Sequence, residues 1–214
     1  MIRPASMKGT VRLQKGQYMC ARYFIRMEEH ENDSLSEEVR RRYGSMIDAL
    51  LPPDGIVKPT VLAPVRCRDR RGNPGIFLMH FGFKLNQSMV INARSESITV
   101  KPMFRPLVRE RRCLIPANRY TEWQHDGKKR IPYEFESADS RLMFFAGLYR
   151  LEPGARFADF VILTRDAAPA FSSIHDRMPL ILTPAEQQTW MNPAADIQDV
   201  LHAGRTDVTF SPAS

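Results

Sequence analysis

Residues 31–55 carry apolar side chains at the spacing of a helix. The apolar positions that share one helical face are Leu35, Val39, Tyr43, Met46, Ile47 and Leu50. Ser34 and Glu37 fit a capping box at the start, and Pro52 and Pro53 would end the helix. The pattern therefore predicts one long helix in this part of the chain.

Most other apolar stretches have the length and composition of strands. The predicted strands are "CARYFIRM" from Cys20, "VLAPV", "IFLMHFGF", "VINARSE", "LMFFAGLY" and "FVILTR". Gly82, inside the third of them, indicates a bulge or a close backbone approach. Asp126-Gly127 lies between "RCLIPANRYTEWQ" and "IPYEFES", and this dipeptide favours a hairpin that joins the two stretches.

Short helices are predicted only at a few places. One is "PMFRPLVRERR", and another is "TPAEQQTWM", where Thr183 is the N-cap, Pro184 the first helical residue and Glu186 the third. Many strands with few helices predict a single α+β domain, with a mainly antiparallel, barrel-like sheet core and peripheral helices. Residues 1–18 lack periodicity, so we expect a leader or upstream extension without ordered structure, and the folded domain in residues 19–214.

Composition and charge narrow the class of protein. The 214 residues are 43% hydrophobic and carry a net charge of +7, as expected for a basic globular protein with a polyanionic partner such as nucleic acid. The three cysteines, Cys20, Cys67 and Cys113, form no CxxC pair or zinc motif, and we read the last two as structural. With neither a secretory signal nor a long apolar run, we expect a cytoplasmic protein without membrane contact, metal or cofactor.

Four polar clusters lie in apolar or aromatic surroundings. They are Cys20, the segment Asn92 to Glu96, Glu122 within "YTEW", and "SIHDRMPL" with His175 and Arg177. Each has an ordinary structural interpretation when taken alone. A cysteine beside a strand is usually a small buried hydrophobe, and a loop histidine usually makes only a local hydrogen bond.

In this order, however, the stretches resemble the SRAP family, the SOS response-associated peptidases. The similar stretches are "MCARY", "INARSES", "KPMFRPLVRERRCLIPANRYTEW", "FAGLY", "FVILT" and "SSIHDRMPLIL", which together extend over about four-fifths of the chain. The resemblance implies an enzyme that protects abasic sites in single-stranded DNA through a covalent link. It also implies lyase-type and autopeptidase activity, and a bacterial protein that is induced by DNA damage and associates with the nucleoid through DNA.

The linking residue implied by the resemblance is an N-terminal cysteine, here Cys20. Its α-amine would condense with the aldehyde of the abasic sugar, and its thiol would close a thiazolidine ring. Glu122 would be the general acid and base, with a pKa raised by its neighbours Tyr120 and Trp123. His175 would orient the sugar and assist proton transfer, and Asn92 would hydrogen-bond near the reacting groups.

The same resemblance implies how DNA would be held by a monomer. Phosphates would contact arginine side chains, and bases would stack on aromatic rings. The predicted DNA-binding residues are Arg22, Arg94, Arg177, Phe83, Phe104 and Arg105, with Trp123 as a further stacking candidate. For the "RPLVRERR" helix that holds Arg105, a solvated face is the preferred interpretation.

Cys20 departs from the family in its position, since family members begin Met-Cys-Gly-Arg and this motif here is Met19-Cys20-Ala21-Arg22. Behind an amide bond, Cys20 has no amine to form an imine. Translation could begin at Met19, as the purine-rich codons of Lys15-Gly16 suggest. Alternatively, the chain could cleave itself after Met19, or be a diverged member that forms no crosslink.

Two rival functions remain open from the sequence. One is a cysteine hydrolase that uses Cys20, His175 and either Asn92 or Glu122. It would need the thiolate but no free α-amine. The other is a non-enzymatic binder of single-stranded DNA, which would tolerate loss of Cys20.

Overall fold

The computed structural model describes residues 19–26, 34–127, 129–139 and 142–213. Its strands are β1 (Tyr23–Phe24), β2 (Ile56–Val57), β3 (Leu62–Arg68), β4 (Pro74–Phe81), β5 (Phe83–Lys84), β6 (Met89–Val90), β7 (Asn92–Arg94), β8 (Arg112–Ala117), β9 (Arg119–Asp126), β10 (Lys129–Ser137), β11 (Met143–Arg150), β12 (Ala158–Asp166), β13 (Arg177–Pro179) and β14 (Val208–Pro212). Its helices are α1 (Ser34–Tyr43), α2 (Met46–Leu50), α3 (Arg105–Glu110), α4 (Pro184–Met191) and α5 (Gln198–His202), and Ser95–Ser97 form a 3-10 turn.

The predicted α+β fold with a barrel-like core is confirmed. One sheet has the order β14-β10-β9-β1-β2, and all its pairings are antiparallel. A second sheet has the order β11-β8-β3-β4-β12-β13, and β11 also pairs with β12, so five of its strands close into a ring. Strands β7 and β4 both run parallel to β12, which makes the ring uneven.

Apolar residues form two core clusters. The larger fills the space between the sheets and includes Tyr23, Phe81 and Phe145. The smaller lies beneath the C-terminal helices and includes Trp190, whose indole N–H donates to the carbonyl of Cys113 at 2.9 Å. Since β12 contributes alternate residues to both clusters, it is the central strand of the molecule.

Several local predictions are confirmed. Asp126 pairs with Lys129 in the β9–β10 hairpin, and Gly127 has a φ of 59°. Thr183 and Glu186 form the predicted capping box of α4. At Gly82 φ is 99°, which strains any residue with a side chain, and a Cβ there would lie 2.7 Å from the sulfur of Met89, so the close approach is to a side chain.

The single long helix predicted from the first periodic stretch is wrong. The structure has two helices, α1 and α2, because Gly44 adopts a φ of 55° between them and ends α1. Met46 is consequently 52% exposed instead of sharing the buried face of Val39. The predicted Ser34 cap depends on a side chain that the structure does not describe. The end of the first strand at Met27 and the predicted leader of residues 1–18 lie outside the described part of the chain.

Among the described residues, none of the helices combines the length and apolar character needed to span a bilayer.

Candidate active site

A cavity of about 460 Å³ opens where the C-terminal end of β12 meets β7 and the segment before β13. Its walls include Met19, Asn92, Arg94, Phe104, His175 and Arg177. Two of the four polar clusters singled out in the sequence thus line one cavity, and Met19, the neighbour of the third cluster, Cys20, lines it as well. Their convergence follows from the parallel pairing of β7 with β12 and the antiparallel pairing of β13 with the same strand.

Cys20 lies behind Met19, completely buried. The segment after it follows β9, since Tyr23 pairs with Tyr120 and the N–H of Thr121 donates to the carbonyl of Arg22 at 3.0 Å. This register brings the backbone N–H of Cys20 to Oε1 of Glu122, to which it donates a hydrogen bond. The predicted fourth cluster, Glu122 in "YTEW", is therefore joined to Cys20 directly.

Glu122 is a carboxyl group inside the protein, with 2% of its surface exposed. Burial raises its pKa from 4.5 to about 7, although hydrogen bonds from Cys20 oppose the change. The direction agrees with the predicted rise in pKa, whereas a backbone hydrogen bond from Trp123 lowers the pKa. Oε2 has no hydrogen-bond partner within the described residues, so one oxygen remains available to a reacting group.

The pKa of the Cys20 thiol is also raised. Burial raises its pKa well above the ordinary value, and the nearby Glu122 carboxylate and a hydrogen bond to it add to the rise. The thiol is consequently protonated near neutral pH as long as it remains buried. Proton removal from this sulfur requires a base within reach, and Glu122 is such a base.

His175 approaches the cavity from the segment before β13. Its Nδ1 lies 2.8 Å from Oδ1 of Asp176 and 3.1 Å from the backbone nitrogen of Arg177. Because Nδ1 cannot donate to the carboxylate and accept from the N–H at once, the two contacts belong to different tautomers. Desolvation lowers the pKa of the imidazole, so His175 is mainly neutral at pH 7.

Asn92 begins β7 and lines the cavity. Its Nδ2 is buried and has no hydrogen-bond acceptor among the described residues. An unsatisfied buried donor costs about 1–3 kcal/mol and therefore needs an explanation. A donor held at the wall of a cavity is suited to an oxygen atom of a ligand.

The two predicted phosphate-binding arginines differ in their surroundings. Arg94 is exposed at the cavity mouth. The guanidinium of Arg177 is buried, and it contacts Asp166, Oε2 of Glu96 at 2.8 Å and the carbonyl of Thr164 at 2.8 Å. Arg177 thus links β12 to the 3-10 turn at the cavity wall. Phosphate binding by this residue stays a prediction.

The aromatic residues predicted to stack on bases differ in the exposure of their rings. Phe83 is completely buried in the smaller core cluster, beneath the guanidinium of Arg150, so no base can stack on it in this conformation, which corrects that part of the prediction. Phe104 is 5% exposed and lines the cavity, and Arg105 beside it is exposed. Trp123 is half-buried, with the guanidinium carbon of Arg22 at 5.3 Å from its ring centre.

Two features of the site were missed in the sequence. Met19 is 4% exposed and forms part of the cavity wall, although only its neighbour Cys20 attracted attention. Asp176 contacts His175 and raises the pKa of Glu122, and its position next to the histidine was the available signal. Among the residues that the structure describes, no group of three or more His, Cys, Asp or Glu side chains is arranged to hold a metal ion.

The fold and site define a class of protein in which an uneven barrel holds a histidine and an asparagine at one cavity, while a buried cysteine paired with a buried carboxyl follows Met19 of the cavity wall. The chain belongs to the SRAP family, SOS response associated peptidase, whose model matches residues 19–212. The initial resemblance is thereby confirmed.

Curated relatives carry a common description. The chain is 38% identical over 118 residues to the abasic site processing protein YoaM of Bacillus subtilis, covering 53% of this chain and 52% of the relative. It is 36% identical over 104 residues to YedK of Escherichia coli, an abasic site processing protein, covering 48% and 47% of the two chains. The chain thus matches about half the length of these relatives.

Solved structures support the fold. A protein from Bacteroides thetaiotaomicron has a TM-score of 0.71 at 22% identity, covering 91% of this chain and 92% of its own. A protein from Bordetella bronchiseptica has a TM-score of 0.68 at 22% identity, covering 91% and 100% respectively.

Proposed function

We propose that this protein binds single-stranded DNA at abasic sites and captures the sugar covalently through Cys20, once Cys20 is the N-terminal residue. The observation that carries the proposal is the meeting of the Cys20 nitrogen, the Cys20 thiol and the Glu122 carboxyl beside the cavity. Family membership and relatives described as abasic site processing proteins support it.

The proposed reaction uses both nucleophiles of one residue. The α-amine of Cys20 adds to the aldehyde carbon of the opened sugar, and loss of water leaves an imine. The sulfur then adds to the imine carbon while its proton passes to the nitrogen, which closes a five-membered thiazolidine ring. The former carbonyl carbon thus exchanges its two bonds to oxygen for one bond to nitrogen and one bond to sulfur.

Glu122 would transfer the protons in these steps. Proton transfer is most efficient when the pKa of the catalytic group lies near the working pH. Burial raises the pKa of Glu122 in this direction, to about 7 while Met19 is attached. Its Oε1 already contacts the Cys20 nitrogen, and its Oε2 has no partner among the described residues. Neutral His175 and the free Nδ2 donor of Asn92 would hold the sugar oxygens.

Exposure of the Cys20 amine would also open the site. While Met19 is attached, it separates completely buried Cys20 from the cavity, so a sugar cannot reach the nitrogen. Cys20 also has a φ of 47°, a left-handed conformation that costs about 1–2 kcal/mol in a residue other than glycine. Because φ is defined by the preceding carbonyl carbon, removal of Met19 abolishes both the block and the strain.

We propose that translation starts at Met19 and that this methionine is then removed. Self-cleavage after Met19 is the second route, since it would expose the same amine. In either case the Cys20-first protein is the active form.

DNA would be held by the exposed side of the cavity. Arg94 and Arg105 are exposed there, and they are the proposed phosphate contacts. Trp123 is the half-buried stacking candidate, whereas Phe104 lines the cavity but is only 5% exposed, so stacking on its ring would require the ring to become more exposed. Arg22 is proposed to act with Trp123, over whose ring it lies.

The rival cysteine hydrolase has weaker support. A nucleophilic thiolate needs a lowered pKa or an adjacent imidazole, whereas burial and Glu122 raise the pKa of the Cys20 thiol. The hydrogen-bond partner of this thiol is Glu122 and not His175.

Intact-mass analysis tests the proposal. The Cys20-first protein is mixed with an abasic single-stranded oligonucleotide, and the expected product has the mass of both components less one water. Matched forms are the Cys20→Ser variant and the Cys20-first protein with an acetylated α-amine, neither of which can close the ring. A stable adduct in the acetylated form would contradict the proposal, and DNA binding without any adduct would favour the simple binder.

A further inference from the structure

A second cavity, of about 440 Å³, lies at the opposite end of β12. Ala158, where β12 begins, lines this second cavity, whereas Thr164 lines the first. These residues are six positions apart on one strand, which corresponds to about 20 Å. The two cavities have no lining residue in common, so the second one lies outside the proposed DNA site.

The second cavity has an apolar floor and an arginine rim. Its floor includes Leu50 and Met79, and at its edge Met46 and Leu151 are 52% and 39% exposed. The arginines that line it are Arg68, Arg70, Arg111 and Arg156. Exposed large apolar side chains within a cationic rim are unusual on a surface that meets only water.

The rim charges are available to a partner. Among the described residues, neither Arg70 nor Arg156 forms an ion pair. Asp69 also lines the cavity. Its carboxylate accepts hydrogen bonds from the backbone N–H groups of Arg71 at 2.8 Å and of Asn73 at 2.9 Å, both within the same turn. The Asp69 carboxylate thus offsets one of the four arginine charges, and the lining keeps a net positive charge.

Aromatic rings in the second cavity are covered by the protein itself. The guanidinium carbons of Arg42, Arg156 and Arg111 lie 4.0, 5.2 and 5.5 Å from the ring centres of Phe77, Phe157 and Tyr149. Single-stranded nucleic acid gains affinity by stacking bases on open aromatic faces. Such faces are scarce here, whereas the aliphatic floor suits an inserted side chain.

We propose that this second cavity binds an acidic peptide segment of a partner protein. One large apolar side chain of the segment enters between Leu50 and Met79, and carboxylates beside it pair with Arg70 and Arg156. This division into an apolar anchor and a charged rim is typical of protein interfaces. Because the cavity is separate from the Cys20 site, the protein binds such a partner while it holds DNA.

Fluorescence anisotropy with a labelled pentapeptide, Asp-Asp-Glu-Leu-Phe, tests the proposal on the full chain. We expect saturable binding that weakens with salt and is lost for Asn-Asn-Gln-Leu-Phe and for Asp-Asp-Glu-Ala-Ala. The double substitution Arg70→Glu and Arg156→Glu should weaken binding at least about tenfold, because it replaces attraction by repulsion. Lys129→Glu, an exposed charge reversal in the β9–β10 hairpin, is the control and should leave peptide affinity unchanged.

Other outcomes overturn the proposal. Equal binding of the neutral peptide would show that the rim charges play no part. Unchanged peptide affinity in the double variant would place binding elsewhere on the protein. If a short oligothymidine displaces the peptide from the unaltered protein but binds the double variant poorly, the second cavity is a nucleic-acid site instead. Circular dichroism and thermal unfolding of each variant show whether it remains folded.

Discussion

The backbone N–H of Cys20 donates a hydrogen bond to Oε1 of Glu122, a residue 102 positions further along the chain. Both partners are buried, and the second carboxyl oxygen has no partner among the described residues. A carboxyl group in this setting lowers stability when it is ionised. Its retention beside a cysteine is therefore better explained by reactivity than by folding.

Glu122→Gln should stabilise the protein at alkaline pH. The pKa of Glu122 is raised from 4.5 to about 7, so between these values the folded protein holds a proton that the unfolded chain has lost. Stability consequently falls as pH rises through this window and is constant above it, with a total loss of about 3 kcal/mol. Glutamine keeps an acceptor for Cys20 and never ionises. Urea unfolding should show the variant more stable at pH 8 by about this amount, with nearly equal stabilities at pH 4. Parallel pH dependences of the two proteins would contradict the assignment.

The same substitution should slow capture of abasic DNA. An amide cannot exchange protons with the Cys20 nitrogen or sulfur, and loss of a general acid–base group costs about 100-fold or more in rate. The initial rate of adduct formation, followed on denaturing gels from pH 5.5 to 8.5, should lose the inflection that titration of the Glu122 carboxyl produces. Glu136→Gln, an exposed change on β10, is the matched control and should capture DNA normally. Equal rates for both variants would exclude Glu122 from proton transfer.

Asn92→Ala should impair capture without lowering the melting temperature. Its Nδ2 has no partner to lose among the described residues, so removing it sacrifices no hydrogen bond within the described fold. We expect capture to slow by about tenfold, the effect of one lost hydrogen bond of about 1.4 kcal/mol to the sugar. Asn118→Ala is the contrasting variant, since Oδ1 of Asn118 accepts from the backbone N–H of Arg26 at 2.9 Å. That variant should melt earlier and capture normally, and the reverse pattern would place Asn92 outside the site.

Asp176→Asn should lower two pKa values together. The Asp176 carboxylate favours the protonated forms of both Glu122 and His175, although burial is the main influence on each. Removing the negative charge should move both midpoints downward, by a small amount because Asp176 is 65% exposed. NMR titration of the Glu122 carboxyl carbon and the His175 ring measures the two changes. A fall in only one of them would show that Asp176 does not act on both groups.

The sequence predicted features that depend on neighbouring residues better than those that depend on the whole fold. The hairpin at Asp126-Gly127 and the cap at Thr183 depend on residues close in the chain, and both are confirmed. The break at Gly44 was missed because the apolar spacing continues through it, and only tertiary packing excludes Met46 from the core.

In the candidate site, too, contacts that depend on the whole fold could not be predicted from neighbouring residues. The family resemblance predicted that Cys20 and Glu122 act in one site. Their contact could not be predicted from residue spacing or from apolar periodicity. Phe83 was proposed for stacking only because it is aromatic, but β5 directs it into the smaller core cluster. The ion pairs of Arg177 with Glu96 and Asp166 could not be read from sequence, because they depend on the pairing of β13 with β12.

Gly147→Ala should destabilise the protein more than Gly127→Ala, although both changes add one methyl group. A Cβ on Gly147 would lie 2.2 Å from Cδ1 of Ile115 and 2.8 Å from the carbonyl oxygen of Val161, so the closed ring would have to deform. Gly127 has nothing within 4 Å of its Cβ position and is restricted only by its φ of 59°. We expect losses of about 3 kcal/mol and about 1 kcal/mol respectively in the free energy of unfolding, measured in urea. Equal losses would show that the β8–β11–β12 junction is packed loosely enough to accept a methyl group, and the ring would then not be the rigid frame that holds the Cys20 site.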